Sequence, residues 1–110
     1  MTRIEKPWGW EEILENNTAY TVKRLFMQDG HQCSYQYHKK KLETILVLRG
    51  VLTIVLATEE IVLKEGEIKT IPPPQPHRMR ASHGDCLYLE CSTSQLGDVV
   101  RISDDYGRVN

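Results

Sequence analysis

Gly30, Gly50, Gly66 and Gly84 cut this chain into short extended runs, and short runs with turn signals at steady intervals are the pattern of an antiparallel sandwich or barrel. Residues 20–27 mix β-branched, aromatic and charged side chains and close on Asp29-Gly30. Residues 33–38 and 86–91 alternate as half-buried strands do. Residues 44–48 and 51–56, joined by Arg49-Gly50, read as a hairpin. Both arms are almost wholly apolar, so both faces are expected to be covered, inside by the barrel and outside by another sheet or a second subunit. Further strands are expected at 60–63, 68–71, 77–80 and 99–102. Pro72-Pro73-Pro74-Gln75-Pro76 lacks the backbone donors of a sheet and reads as a rigid loop. Residues 11–17 have room for one helical turn, although Trp8-Gly9-Trp10 before them reads as strand and packing.

Size and charge then narrow the classes. The 110 residues suffice for one domain, 1–110, with a core that needs no staples. A formal net charge of −1 removes the electrostatic argument for nucleic acid or a membrane surface. No apolar run approaches a membrane span, and residues 1–11 hold no signal-peptide core. Cys33, Cys86 and Cys91 are odd in number and lack metal-type spacing. They read as reduced thiols in a cytoplasmic protein, with a Cys33–Cys91 or Cys86–Cys91 bridge as the alternative.

Four residues with lone pairs stand at a distinctive spacing: G-x5-Q-x-H-x4-E-x6-G from Gly30 to Gly50, then G-x5-P-x4-H from Gly66 to His77. Gln36 and His38 are two apart in a strand and share a face. Glu43 follows a lysine-rich turn, and His77 arrives behind the proline loop. Each histidine alone fits a satisfied polar residue in a barrel mouth. Two imidazoles, a carboxylate and an amide oxygen together suit a borderline divalent metal with open positions. His31 and His83 sit in turns and read as solvated, and Lys39, Lys40 and Lys41 form either an anion-attracting rim or a solvated turn.

This double motif resembles that of the cupins, with Gln36 where a histidine is commoner. The resemblance extends to the type II mannose-6-phosphate isomerase domain, usually the C-terminal part of a bifunctional mannose-1-phosphate guanylyltransferase. It rests on Lys6-Pro7-Trp8-Gly9, Val22-Lys23-Arg24-Leu25, Ser34-Tyr35-Gln36-Tyr37-His38 and Leu63-Lys64-Glu65-Gly66-Glu67. Ile71-Pro72 with His77-Arg78, and Val100-Arg101-Ile102-Ser103-Asp104-Asp105-Tyr106-Gly107-Arg108, complete it. The resemblance implies an all-β cupin barrel (a double-stranded β-helix of jelly-roll type), a homodimer, and one divalent ion held by Gln36, His38, Glu43 and His77. Zinc is favoured, with manganese, iron, cobalt or nickel as alternatives. It also implies interconversion of mannose 6-phosphate and fructose 6-phosphate through an enediol. Candidate phosphate ligands are Arg24, Lys40, Lys41, Arg78, Arg101 and Arg108, and candidate catalytic residues are Lys40, Lys41 and Tyr106. No glycine-rich phosphate loop is present, so guanylyl transfer is not expected of these residues.

The chain departs from the family's usual Q-x-H-x-H-R-x-E-H-W stretch. Lys40 replaces the second histidine, Lys41 the arginine, and Thr44-Ile45 the His-Trp pair, while Pro74 replaces a loop glycine. Two other readings therefore stand beside the isomerase: another cupin enzyme, such as an epimerase or an iron oxygenase, and a non-catalytic module that binds a sugar or small anion.

Overall fold

Inward charge and inward hydrocarbon are segregated along the central strands of the larger sheet, and that segregation places the site. The computed structural model describes residues 2–108. In chain order the strands are β1 (Thr2–Lys6), β2 (Gly9–Asn16), β3 (Thr21–Met27), β4 (His31–Gln32), β5 (Tyr35–Tyr37) and β6 (Glu43–Arg49). They continue as β7 (Leu52–Val55), β8 (Glu60–Leu63), β9 (Ile68–Ile71), β10 (Arg78–Ala81), β11 (Cys86–Ser92) and β12 (Val100–Ser103). There is no helix among the described residues.

All pairings are antiparallel. One sheet runs β1-β2-β3-β11-β6-β9, a second β4-β10-β7-β8, and β12 pairs with β5. A single apolar cluster joins the two larger sheets, with Leu25, Met27, Ile45 and Val47 from the first meeting Leu52, Ile54, Met79 and Ala81 from the second. This is the all-β cupin barrel that the sequence resemblance implies.

Register decides the rest. Inward residues of β3 read Thr21, Lys23, Leu25, Met27, and those of β11 read Ser92, Glu90, Tyr88, Cys86. The ladder sets Ser92 beside Thr21, Glu90 beside Lys23, Tyr88 beside Leu25 and Cys86 beside Met27. Polar residues thus line up at one end of the barrel and apolar ones at the other. On β6, Glu43 lies at the polar end, and Ile45 and Val47 continue into the core.

Two local expectations are corrected. Residues 44–48 and 51–56 do not form a hairpin: β6 pairs with β11 and β9, whereas β7 pairs with β10 and β8. Gly50, at φ +83°, turns the chain from one sheet to the other, and a Cβ there would overlap the Asp85 carbonyl oxygen. Residues 11–17 hold no helical turn, because β2 is paired on both sides by β1 and β3 and that pairing outweighs a weak local preference. Within one subunit the outer side of β6 is partly open, with Leu48 41% exposed, and no second sheet of the chain covers it there. All three cysteines are free.

Candidate metal centre

His77 reaches the other candidate ligands through its backbone. It forms an isolated antiparallel bridge with Gln36: Gln36 N donates to His77 O at 2.9 Å and His77 N to Gln36 O at 2.8 Å. Residues paired in this way carry their side chains on the same face. The proline loop leads into that bridge, and the His77 ring nitrogen Nδ1 donates to Gln75 O at 2.9 Å. His38 lies two residues beyond Gln36, and its Nδ1 donates to Asp98 O at 2.5 Å. Both donations to carbonyls fix the tautomer, so in each neutral ring Nε2 carries the lone pair.

These lone pairs converge on Glu43. His38 Nε2 lies 3.2 Å from Glu43 Oε1 and His77 Nε2 lies 2.8 Å from it. Ligand atoms of His38, Glu43 and His77 all fall within 4.8 Å of one another, and all three residues are buried. Two atoms of this cluster, His77 Nε2 and Glu43 Oε2, are buried without a directed hydrogen bond. A neutral imidazole lone pair facing a carboxylate oxygen at such a distance needs a proton on the ring or a metal cation between them. The donor set therefore fits a divalent ion. Gln36 lines the same cavity, and its Oε1 accepts from Ser34 Oγ at 2.5 Å, which leaves a second lone pair for a ligand role. With only these side chains present, burial disfavours the Glu43 carboxylate, but His38, His77 and Lys41 outweigh it and hold the group well below the carboxylate range. Burial also works against a charged His77, and Glu43 reverses it and raises that histidine.

Glu43 and His77 are fully buried beside His38, and His38 and Gln36 line a cavity of about 150 Å³, room for a small molecule. Its charged lining includes Lys6, Glu11, Lys23, Lys41, Glu90, Arg101 and Arg108. Lys41 Nζ lies 3.7 Å from Glu43 Oε2 and 3.6 Å from Glu90 Oε2. Burial opposes its charge, yet the two carboxylates prevail and keep the ammonium form above its ordinary range. Glu90 moves the other way, raised first by burial and then by the charge of Glu43. Arg108 is held on Asp104 through Nε at 3.0 Å and a terminal nitrogen at 2.8 Å. Arg101 pairs with Gln36 across β12 and β5, so the two share a face.

Of the cations picked from sequence, Lys41, Arg101 and Arg108 line the cavity, and Arg24, Lys40 and Arg78 do not. Arg24 alternates with inward Lys23 and Leu25, lies on the outer face, and binds Glu12 there at 2.8 Å. Arg78 likewise alternates with inward His77 and Met79, and its Nε donates to Cys33 O at 3.0 Å. Lys40 is exposed, and only its backbone is tied, to Asp98 at 2.7 Å. Tyr106 stands outside the cavity with its hydroxyl 2.8 Å from His31 Nδ1, so His31 is a partner of the C-terminal segment and not a solvated turn residue.

Lys6, Glu11, Lys23 and Glu90 were not singled out from sequence. The signal lay in the alternation: Lys23 shares a strand face with Leu25 and Met27, and Glu90 with Tyr88 and Cys86. A charge on an otherwise apolar strand face points inward.

Comparison with known proteins bears on this geometry. The family described as mannose-6-phosphate isomerase C-terminal matches residues 1–109. The xanthan biosynthesis protein XanB of Xanthomonas campestris pv. campestris is 30% identical over 112 residues, covering 96% of this chain and 24% of that protein. A mannose-1-phosphate guanylyltransferase of Salmonella montevideo is 31% identical over 109 residues, covering 96% of this chain and 23% of that protein. The chain thus spans about a quarter of the length of these curated relatives. Among solved structures, KdgF from Halomonas sp. superposes with a TM-score of 0.80 at 15% identity, over 88% of this chain and 91% of that one. A cupin-like protein of Thermotoga maritima gives 0.74 at 18% identity, over 86% and 76%. At those identities the likeness shows the cupin fold.

Proposed function

Because the chain belongs to the mannose-6-phosphate isomerase C-terminal family, we propose that it is a metal-dependent isomerase of a sugar phosphate, with mannose 6-phosphate and fructose 6-phosphate as the favoured pair. The observation that carries this reading is the union of two features: the His38–Glu43–His77 cluster, which reaches the cavity through His38 with Gln36 beside it, and an excess of cations in the same lining. Lys6, Lys23, Lys41, Arg101 and Arg108 stand against Glu11, Glu43, Glu90 and the Asp104 that holds Arg108, so the interior has one positive charge in surplus even before a metal is added. Such a cavity suits a small dianion that carries a hydroxy-carbonyl group.

Gln36, His38, Glu43 and His77 would hold the ion, zinc by preference. When bound it would supply Lewis-acid polarisation of the sugar's carbonyl and hydroxyl oxygens. The remaining work falls to the side chains. Cations at the wall fix the phosphate, and binding energy from that remote group positions the reacting carbons. Lys41 keeps its proton between two carboxylates and so acts as a cation and donor. The base is then Glu90, 3.6 Å from Lys41: its carboxylate takes the proton from C2 while Lys41 hands one to O1, leaving an enediol, and the O2 hydroxyl proton returns to Lys41 as Glu90 delivers its proton to C1.

The outer face of the six-stranded sheet presents Leu46, Leu48, Leu87 and Leu89, and an apolar face of this kind favours a homodimer. Three free thiols suit a reducing compartment, and the cytoplasm is the proposed location. A coupled assay with mannose 6-phosphate, with and without zinc, tests the activity. No conversion of any aldose phosphate with the ion bound would reject the isomerase and leave a metal-bearing binding module. A monomeric mass by light scattering would reject the dimer.

A further inference from the structure

Lys6 and Lys23 both set their ammonium groups against one carboxylate. Lys6 Nζ lies 3.3 Å from Glu11 Oε1, and Lys23 Nζ lies 3.2 Å from Glu11 Oε2. All three residues line the cavity. Burial disfavours the Glu11 carboxylate, but Lys23 and Lys6 hold it ionised. Glu90 stands beside Lys23 in the ladder and is shared with Lys41, so with Glu43 assigned to the ligand cluster the three lysines face two carboxylates and this wall keeps one positive charge. Elsewhere in the cavity Arg108 is held on Asp104.

A second, independent observation comes from the lining of the same cavity. Trp8 also lines the cavity, is 4% exposed, and its indole Nε1–H is buried with no hydrogen-bond partner. A buried donor without an acceptor is rare in folded proteins, because the lost hydration goes uncompensated. Lys6 ends β1 and Trp8 lies in the turn to β2, and that turn is pinned: Gln28 N donates to Trp8 O at 2.9 Å, and a Cβ at Gly9 would overlap the Phe26 carbonyl. The indole is therefore held where it stands.

Distance gives this wall its role. Lys23 is on β3, Glu90 is its neighbour on β11, and Glu43 is on β6 beyond. Two strand spacings, about 10 Å, separate the lysine's strand from the ligand's strand. An open six-carbon sugar phosphate holds its phosphorus and its carbonyl apart on that scale.

We propose that Lys6, Lys23 and the Trp8 indole N–H form the anion subsite of the cavity, with Glu11 holding the two ammonium groups together, and that the subsite takes the terminal phosphate of the substrate. The identity of that substrate rests on the sugar-phosphate reading above; the surplus charge and the unmatched donor do not.

Calorimetric titration of the intact, metal-loaded protein tests this with three probes: inorganic phosphate, mannose 6-phosphate and mannose. Lys23→Met and Lys6→Gln are each expected to weaken both phosphate probes about tenfold, the effect of losing one charge-assisted hydrogen bond, with mannose binding and metal content unchanged. Trp8→Phe is expected to weaken them about threefold. Lys23→Arg, which keeps the charge, retains most of the affinity. Lys6 is the more exposed of the two lysines, so its variant reports even where Lys23→Met fails to fold. Phosphate binding that is absent from the wild type, or that survives both lysine replacements because phosphate sits on the metal alone, overturns the subsite. Lysine-dependent phosphate binding without turnover keeps the subsite and removes the isomerase.

Discussion

Replacing Asp98 by Ala is expected to loosen the metal centre from a position that holds no ligand. The Asp98 carboxylate accepts three backbone N–H groups from the turn that follows His38: Lys39 at 3.0 Å, Lys40 at 2.7 Å and Lys41 at 2.9 Å. These bonds, Lys39's first, depress its carboxyl from 3.8 to about 2 against the opposing effect of burial. Hydrogen bonds to a charged acceptor are worth more than neutral ones, but Asp98 is partly exposed, so the set is discounted to about 2 kcal/mol of stability. A carboxyl depressed by folding stabilises fully above its ordinary value, and the contribution fades as pH falls through the folded value. The difference between wild type and Asp98→Ala in urea unfolding of the metal-free protein should therefore be about 2 kcal/mol at neutral pH and vanish near pH 2. The same turn carries His38 into Glu43, so zinc affinity by chelator competition should fall about tenfold, the scale of lost outer support. An unfolding difference that persists unchanged near pH 2 would refute the carboxylate argument. Unaltered zinc affinity would refute the link to His38.

Other outcomes follow from the same geometry. His77→Ala should lose most of the bound metal, measured after gel filtration, and keep the β-sheet circular dichroism spectrum; unchanged metal content would reject the ligand assignment. Gly50→Ala places a Cβ against the Asp85 carbonyl at φ +83° and should cost about 1–3 kcal/mol by thermal unfolding, where a neutral result would mean the sheet-to-sheet turn relaxes freely. Burial pushes the Cys33 thiol up to about 11 and Cys86 up to about 12, while Cys91 is exposed. A thiol reagent at about pH 8 should thus modify one cysteine promptly in the native protein and all three on unfolding; three equal native rates would contradict the burial.

The barrel was legible in the sequence because turn chemistry and alternation are local. Gly30, Gly50, Gly66 and Gly84 all adopt positive φ at turns, and the strands they delimit fall within a residue or two of the expected ends. The spacing of Gln36, His38, Glu43 and His77 was equally readable, since two-residue periodicity and a recurring motif carry it. Partner choice was not. Nothing in residues 44–56 says whether the chain folds back on itself or crosses to a second sheet, because both arrangements bury the same apolar residues. Nor does local pattern say which cations share an interior. Arg24 and Lys23 are neighbours in the chain, yet the pleat sends Arg24 to Glu12 outside and Lys23 to Glu11 inside. Strand period alone sorts them into two faces, but only the closure of the sheets decides which face encloses the cavity. The sequence by itself determined the kind of fold and the four candidate ligands. Tertiary structure decided the lining around them, because long-range pairing sets which side chains converge.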